Sequence, residues 1–160
     1  ARDAVAPVGG PLAQLAEGEV RVVGGVDLWS ADAPPGPPQL DAWVRFGDVP
    51  DDPASRAALL VSFTGQLSIA AALRPHPGVG QDQAHVSLST AVNAIALSLH
   101  ADVRPDRWML FHHRSTFAGA GMTHSSCRVH DVDGDLLASF SVDGMVRAMQ
   151  PAPADGQRVL

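Results

Sequence analysis

Residues 53–73, PASRAALLVSFTGQLSIAAAL, constrain the fold of this 160-residue chain more than any other stretch. Their surroundings dictate a helix. Asp52 can cap it, Pro53 suits its first position, and Asp51 and Asp52 favour the positive end of the helix dipole. Arg74-Pro75-His76-Pro77-Gly78 stops it at about Leu73. From Leu59 onward apolar residues fall on nearly every side, so the helix cannot lie on a surface with one face in water; the rest of the chain must wrap it. Ala57, Ala58, Ser62, Gly65, Ser68, Ala70, Ala71 and Ala72 would let a sheet come close to its axis. Gly65 and Gln66 interrupt the apolar run at its middle, and the question is whether they mark a working site or a vacated one.

The wrapping material is legible on both sides of the helix. EVRVVGGVDLW (19–29) reads as a strand with a bend at Gly24-Gly25, and LDAWVRFGDV (40–49) as a second, short strand. Between them SADAPPGPP is a proline-rich loop. After the helix, HVSLSTAVNAIALSLHADV alternates with Val86, Leu88 and Val92 on one face. It then changes phase to Ile95, Leu97 and Leu99, which predicts a bulge near Asn93-Ala94. RWMLFHHRSTF and MTHSSCRVHDV follow, joined by AGAG. The Asp133-Gly134 turn then leads into LLASFSV and MVRAM. The expected architecture is α+β: two strands, one long central helix, then four antiparallel strands in a sheet curled around it, the layout of a hot-dog fold. Residues 1–19 are expected to be weakly ordered, 20–149 to form the single domain, and 150–160 to be a loose tail.

Composition excludes several classes of function. The net charge is −6 and all 11 basic residues are arginines placed singly, with no cluster to follow a phosphate backbone, so no nucleic-acid partner is expected. The one cysteine, Cys127, excludes an internal disulfide and a cysteine-based zinc site and fits a reducing compartment. No membrane span is expected, and ARDAVAPVGG lacks the layout of a signal peptide, so a cytoplasmic protein is expected. The chain begins at Ala1 rather than methionine, which suggests a piece of a longer product.

Several segments, in order, carry a family resemblance. Ala72-Leu73-Arg74-Pro75-His76 matches an Ala-Leu-x-Pro-His helix exit. His100 with Trp108-Met109-Leu110-Phe111 matches a His-x7-Trp-Leu-Leu-aromatic strand pair. Asp133-Gly134-Asp135-Leu136-Leu137-Ala138-Ser139 and Gly144-Met145-Val146-Arg147 match a closing Asp-Gly-x-Leu-Val-Ala-Ser and Gly-x-x-Arg hairpin. From about Trp43 to Arg147 the chain resembles the C-terminal half of the TesB-like, type II acyl-CoA thioesterases, which are double hot-dog proteins. The resemblance implies an acyl-CoA or acyl-chain ligand, no cofactor, no metal, and pairing of the domain as a homodimer or with a second hot-dog half.

In that family a helix aspartate, a strand threonine and a glutamine near the end hold and activate the water that attacks the thioester. Such chemistry needs a base or acceptor for the water and donors for the oxyanion. Carried over, these positions fall on Gly65, near Val92 and on Val142, so the resemblance keeps the scaffold and loses the catalytic set. Nearby substitutes exist. Gln66 is one step along the helix, although an amide can orient water or a carbonyl but is not a base. Thr90 lies two residues back on the same strand face, with Asn93 beside the irregularity. Thr64, Gly65 and Asp143 are candidates for substrate binding. The plainer reading of Gln66 is a buried amide with a partner; that of Thr64, Asn93 and Asp143 is a local hydrogen bond or an exposed position.

Other features have structural explanations. His112, His113, His124 and His130 alternate between faces and read as ordinary strand histidines rather than a metal site. Asp131-x-Asp133-Gly134-Asp135 lacks the spacing and closing glutamate of a calcium loop and reads as a turn. No nucleophile elbow, P-loop or dinucleotide fingerprint occurs. Two readings of function follow: an acyl-CoA thioester hydrolase with a rearranged polar set at Gln66, Thr90 and Asn93, or a non-catalytic half that binds acyl groups or completes a pair with a catalytic partner.

Overall fold

The computed structural model describes residues 6–7, 18–25, 27 and 30–149. The expectation of weak order over 1–19 falls mostly outside the described residues, and that of a loose tail at 150–160 falls entirely outside them. The strands are β1 (Ala6–Pro7), β2 (Glu19–Val22), β3 (Gln39–Arg45), β4 (Leu88–Leu99), β5 (Met109–Gly119), β6 (Met122–His130) and β7 (Leu136–Ala148). One long helix, α1 (Pro53–Leu73), separates β3 from β4. All neighbouring strands pair antiparallel, in the order β1-β2-β3-β5-β6-β7-β4. The sheet curls so that α1 packs against β3, β4, β5, β6 and β7, as an all-round apolar helix requires.

The helix begins as the sequence dictates. Asp52 is extended, and its carboxylate accepts a hydrogen bond from the Ser55 N–H at 2.9 Å. Leu60, Phe63, Leu67, Ala71 and their neighbours pack on Leu40, Ala42, Val44, Phe111, Val129 and Val142 from the inner faces of the strands. Phe63 meets Phe46 edge to face with ring centroids 5.0 Å apart. Burying each ring contributes about 2–3 kcal/mol and the ring geometry about 1 kcal/mol more.

By length and composition alone α1 is apolar enough to cross a membrane. Its position explains the composition: Leu67–Leu73 are all buried, and the helix packs against five strands of the sheet.

Two elements differ from their sequence expectation. β2 stops at Val22, where Val23–Gly25 form a short 3-10 turn with Gly24 and Gly25 at φ 80° and 62°. β4 starts at Leu88 rather than His85, because His85 takes φ 62° and breaks the strand. β7 runs unbroken through LLASFSV and MVRAM, so four strands follow the helix, as expected. Its Gly144 gives close approach: a Cβ there would lie 2.6 Å from Thr123 Oγ1 and 3.4 Å from Ile69 Cγ1. The predicted irregularity in β4 is present, with the register to β7 shifting between Val92 and Ala94.

Candidate functional site

Helix and edge strand converge where the sequence drew attention. Gly65 faces β4, and a Cβ on it would lie 2.5 Å from Val92 Cγ2. The positions that the resemblance gives to the family's helix acid and strand threonine are therefore neighbours, with the valine occupying the space above the glycine. The third position, Val142, is buried in the core and pairs with Ile95.

Beside this contact a cavity of about 500 Å³ opens between α1, β4 and the loop that joins them. Gln66 and Ile69 line it from the helix, Thr90, Ala91 and Val92 from the strand, and Gln81, Asp82, Ala84 and His85 from the loop. Helical spacing brings Gln66 and Ile69 to one side, and the period-two alternation of β4 brings Thr90 and Val92 to the same face. The loop is fastened to the helix: the Gln81 side-chain amide donates to the Gln66 carbonyl at 3.1 Å. It is also tied to the proline-rich segment, where the Ala31 N–H donates to Asp82 at 3.3 Å. The cavity thus has an apolar floor and a few polar groups, the usual make-up of a small-molecule site.

Of the candidate residues, the structure brings Gln66 and Thr90 into one cavity, next to Gly65. It places the others elsewhere. Thr64 is wholly buried against the sheet, and its hydroxyl makes no well-formed hydrogen bond. Asn93, at the bulge, reaches Met122 Sδ at 4.0 Å and is not among the cavity-lining residues. Asp143 alternates outward from Val142 and Gly144 and accepts from His124 Nδ1 at 2.7 Å on the outer sheet face. His85 and Asp82 escaped the sequence reading because they follow the helix exit in a segment read as strand and loop. The one available signal was that the loop between α1 and β4 must pass the Gln66 side of the helix.

A second polar cluster lies under the helix on the side of β5 and β6. The Ser68 hydroxyl is 2.9 Å from His113 Nδ1, His113 Nε2 is 3.6 Å from Cys127 Sγ, and the Ser125 hydroxyl donates to the Ser68 carbonyl at 3.3 Å. All four residues are buried. Burial, helped by the neighbouring His112, pushes the His113 pKa down to about 3. Burial pushes the Cys127 thiol up to about 12, against the weaker opposing effect of the Thr64 hydroxyl beside it. A neutral imidazole and a neutral thiol have neither charge nor access to substrate, so this chain of hydrogen bonds positions the helix on the sheet. The Asp131 segment is a turn, as expected: Asp131 accepts from the Asp133 and Asp135 N–H groups, both at 2.9 Å. Among the described residues no three histidine, cysteine or acidic side chains group as metal ligands.

Comparison with known proteins identifies the fold and the family. None of the curated proteins compared with the chain matches it in sequence. Among solved structures it is similar to acyl-CoA thioesterase II TesB2 from Mycobacterium marinum, with TM-score 0.64, 24% identity, 93% of this chain covered and 58% of that one. A hot-dog protein of unknown function from Alicyclobacillus acidocaldarius gives TM-score 0.62 and 20% identity over 91% of this chain and 52% of that one. A Streptococcus mutans protein solved bound to acetyl CoA gives TM-score 0.52 and 8% identity over 73% of this chain and 87% of that one. The chain thus spans little more than half the length of the first two. These likenesses establish the hot-dog fold. The profile of the acyl-CoA thioesterase C-terminal domain matches residues 2–145. The chain with the Gly65–Val92 contact therefore belongs to the acyl-CoA thioesterase C-terminal domain family.

Proposed function

We propose that this chain hydrolyses acyl-CoA thioesters to free acid and CoA, with a rearranged polar set in which Gln66 and Thr90 stand in for the family's helix acid and strand threonine. The observation that carries this reading is the cavity in which Gln66 and Thr90 meet, directly beside Gly65 and Val92. Ile69, Ala84, Ala91 and Val92 offer an apolar wall to an acyl chain. The amide of Gln66 and the hydroxyl of Thr90 can donate to a thioester carbonyl as it becomes an oxyanion, where one such donor is worth roughly 10²–10³ in rate. The acetyl CoA bound by the Streptococcus mutans neighbour supports this ligand class. The free, buried Cys127 fits a reducing cytoplasm. The test is thiol release from a panel of acyl-CoA chain lengths. Turnover is expected, with kcat lowered about 10-fold or more in Gln66→Ala and Thr90→Ala; no turnover by a folded sample across the panel overturns the reading.

A second reading has its own observation. β4 is the last strand of the sheet, and β7 is its one neighbour among the described residues. Twelve residues of strand edge would pair with a second hot-dog, either another copy or another half. With Val92 seated over Gly65, such a chain would bind acyl groups and complete a site whose acid comes from the partner. This reading expects a dimer or hetero-pair by native mass, and stabilisation by acyl-CoA without turnover. A monomer indifferent to acyl-CoA counts against it.

A further inference from the structure

We infer that His85 is the general base of this cavity, supplying from the α1–β4 loop the proton acceptor that Gly65 cannot. The inference rests on the thioesterase reading above. Hydrolysis needs a group that takes a proton from water, and neither an amide nor a hydroxyl does so at neutral pH. Among the described residues that line the cavity, the titratable side chains are Asp82 and His85. The Asp82 carboxylate already accepts from Ala31 N. The His85 imidazole has no hydrogen-bond or ion-pair partner among the described residues.

The backbone at this residue points the same way. His85 is left-handed at φ 62°, a conformation that costs an L-residue about 1–2 kcal/mol and that glycine takes freely. It is fixed there by its own N–H, which donates to the Leu88 carbonyl at 2.7 Å, and by the parallel bridge between Ala84 and Leu88. The strain turns the chain just before β4 begins and leaves the exposed histidine among the residues that line the cavity. Strained residues of this kind concentrate at functional sites.

The step balances with the groups present. The imidazole takes a proton from water while the water oxygen bonds to the thioester carbonyl carbon, and the carbonyl electron pair moves to oxygen, where Gln66 and Thr90 donate. The pair then returns, the carbon–sulfur bond breaks with its electrons going to sulfur, and the imidazolium gives its proton to that sulfur. The products are a carboxylic acid and the CoA thiol.

His85→Gly tests this without risk to the fold, because glycine suits the backbone; its thermal midpoint should equal or exceed that of the wild type. The expected result is a fall in kcat of about 100-fold or more with KM little changed, and partial recovery of kcat on adding free imidazole. Gln66→Ala, assayed in parallel, should not respond to imidazole. Wild-type kcat in His85→Gly overturns the inference and leaves the thioesterase reading standing. A loss that imidazole does not reverse, or an equal response in Gln66→Ala, also overturns it, and a wild type without turnover overturns both.

Discussion

The space above Gly65 is filled by Val92, whose Cγ2 lies 2.5 Å from where a Cβ on the glycine would be. Val92 is β-branched and stiff about its first side-chain torsion, so it does not swing aside cheaply. Gly65→Ala should therefore destabilise by about 1–2 kcal/mol, the overpacking cost exceeding the ~1 kcal/mol gain in helix propensity. In a Val92→Ala background the sign should reverse, and Gly65→Ala should stabilise by up to about 1 kcal/mol. Denaturant midpoints of the four proteins close the cycle. Additive effects would show that the two residues do not compete for this space.

The β5–β6 hairpin closes through Ala120-Gly121, both at positive φ, between the paired residues Gly119 and Met122. This is the two-residue turn that suits the twist of paired strands, but its first position disfavours alanine. Ala120→Asn should raise stability by about 0.5–1 kcal/mol with no change in any acyl-CoA activity. A lower thermal midpoint would mean that the alanine makes a contact worth more than the strain.

Much of the fold was legible because its signals are local. The Asp52 cap, the stop after Leu73 and the phase change at Asn93 each depend on a few neighbouring residues. Two elements were misread for a shared reason. EVRVVGGVDLW was read as a strand to Trp29 and His85 as strand, yet Val23–Gly25 form a 3-10 turn and His85 takes a left-handed turn. Both are set by positive-φ backbone turns, which apolar alternation does not record. The site was half legible. Gln66 and Thr90 were reached as neighbours of the positions that the family resemblance gives, one step along the helix and two along the strand, whereas Asn93 and Asp143, reached in the same way, are not among the residues that line the cavity. His85 could be found only once the loop's path was known.

Cys127 lies 1% exposed with its thiol pushed up to about 12 by burial. Only the thiolate reacts appreciably, so at pH 8 the native protein should resist thiol reagents and be modified at the rate at which it opens. Modification should become fast in denaturant, with one thiol per chain. Rapid labelling of the native protein would mean that the Ser68–His113–Cys127 chain is open to solvent.

The strongest pH dependence of stability should come from His113. Its pKa is pushed down from 6.5 to about 3 because the imidazole is fully buried between Ser68 and Cys127 and stacks beside Phe111. The fold therefore favours the neutral ring. Above pH 6.5 both folded and unfolded chains carry it neutral, and the stabilisation is complete. As the pH falls below 6.5 the unfolded chain takes up the proton first, and stability declines by at most about 1.4 kcal/mol per pH unit until the folded ring protonates near 3. Glu19 and Asp106, whose pKa values are lowered by hydrogen bonds from Arg45 and Arg104, and Asp52, lowered by the Ser55 side chain and backbone, add their own losses only in the lower, carboxylate range. Urea titrations from pH 8 to 4 should thus show a continuous loss that begins well above that range. The double variant Ser68→Ala with His113→Leu removes both hydrogen-bonding partners together and so avoids leaving one orphaned. It should be nearly flat between pH 6.5 and 5, and a wild-type slope retained in that variant would assign the titration to another histidine.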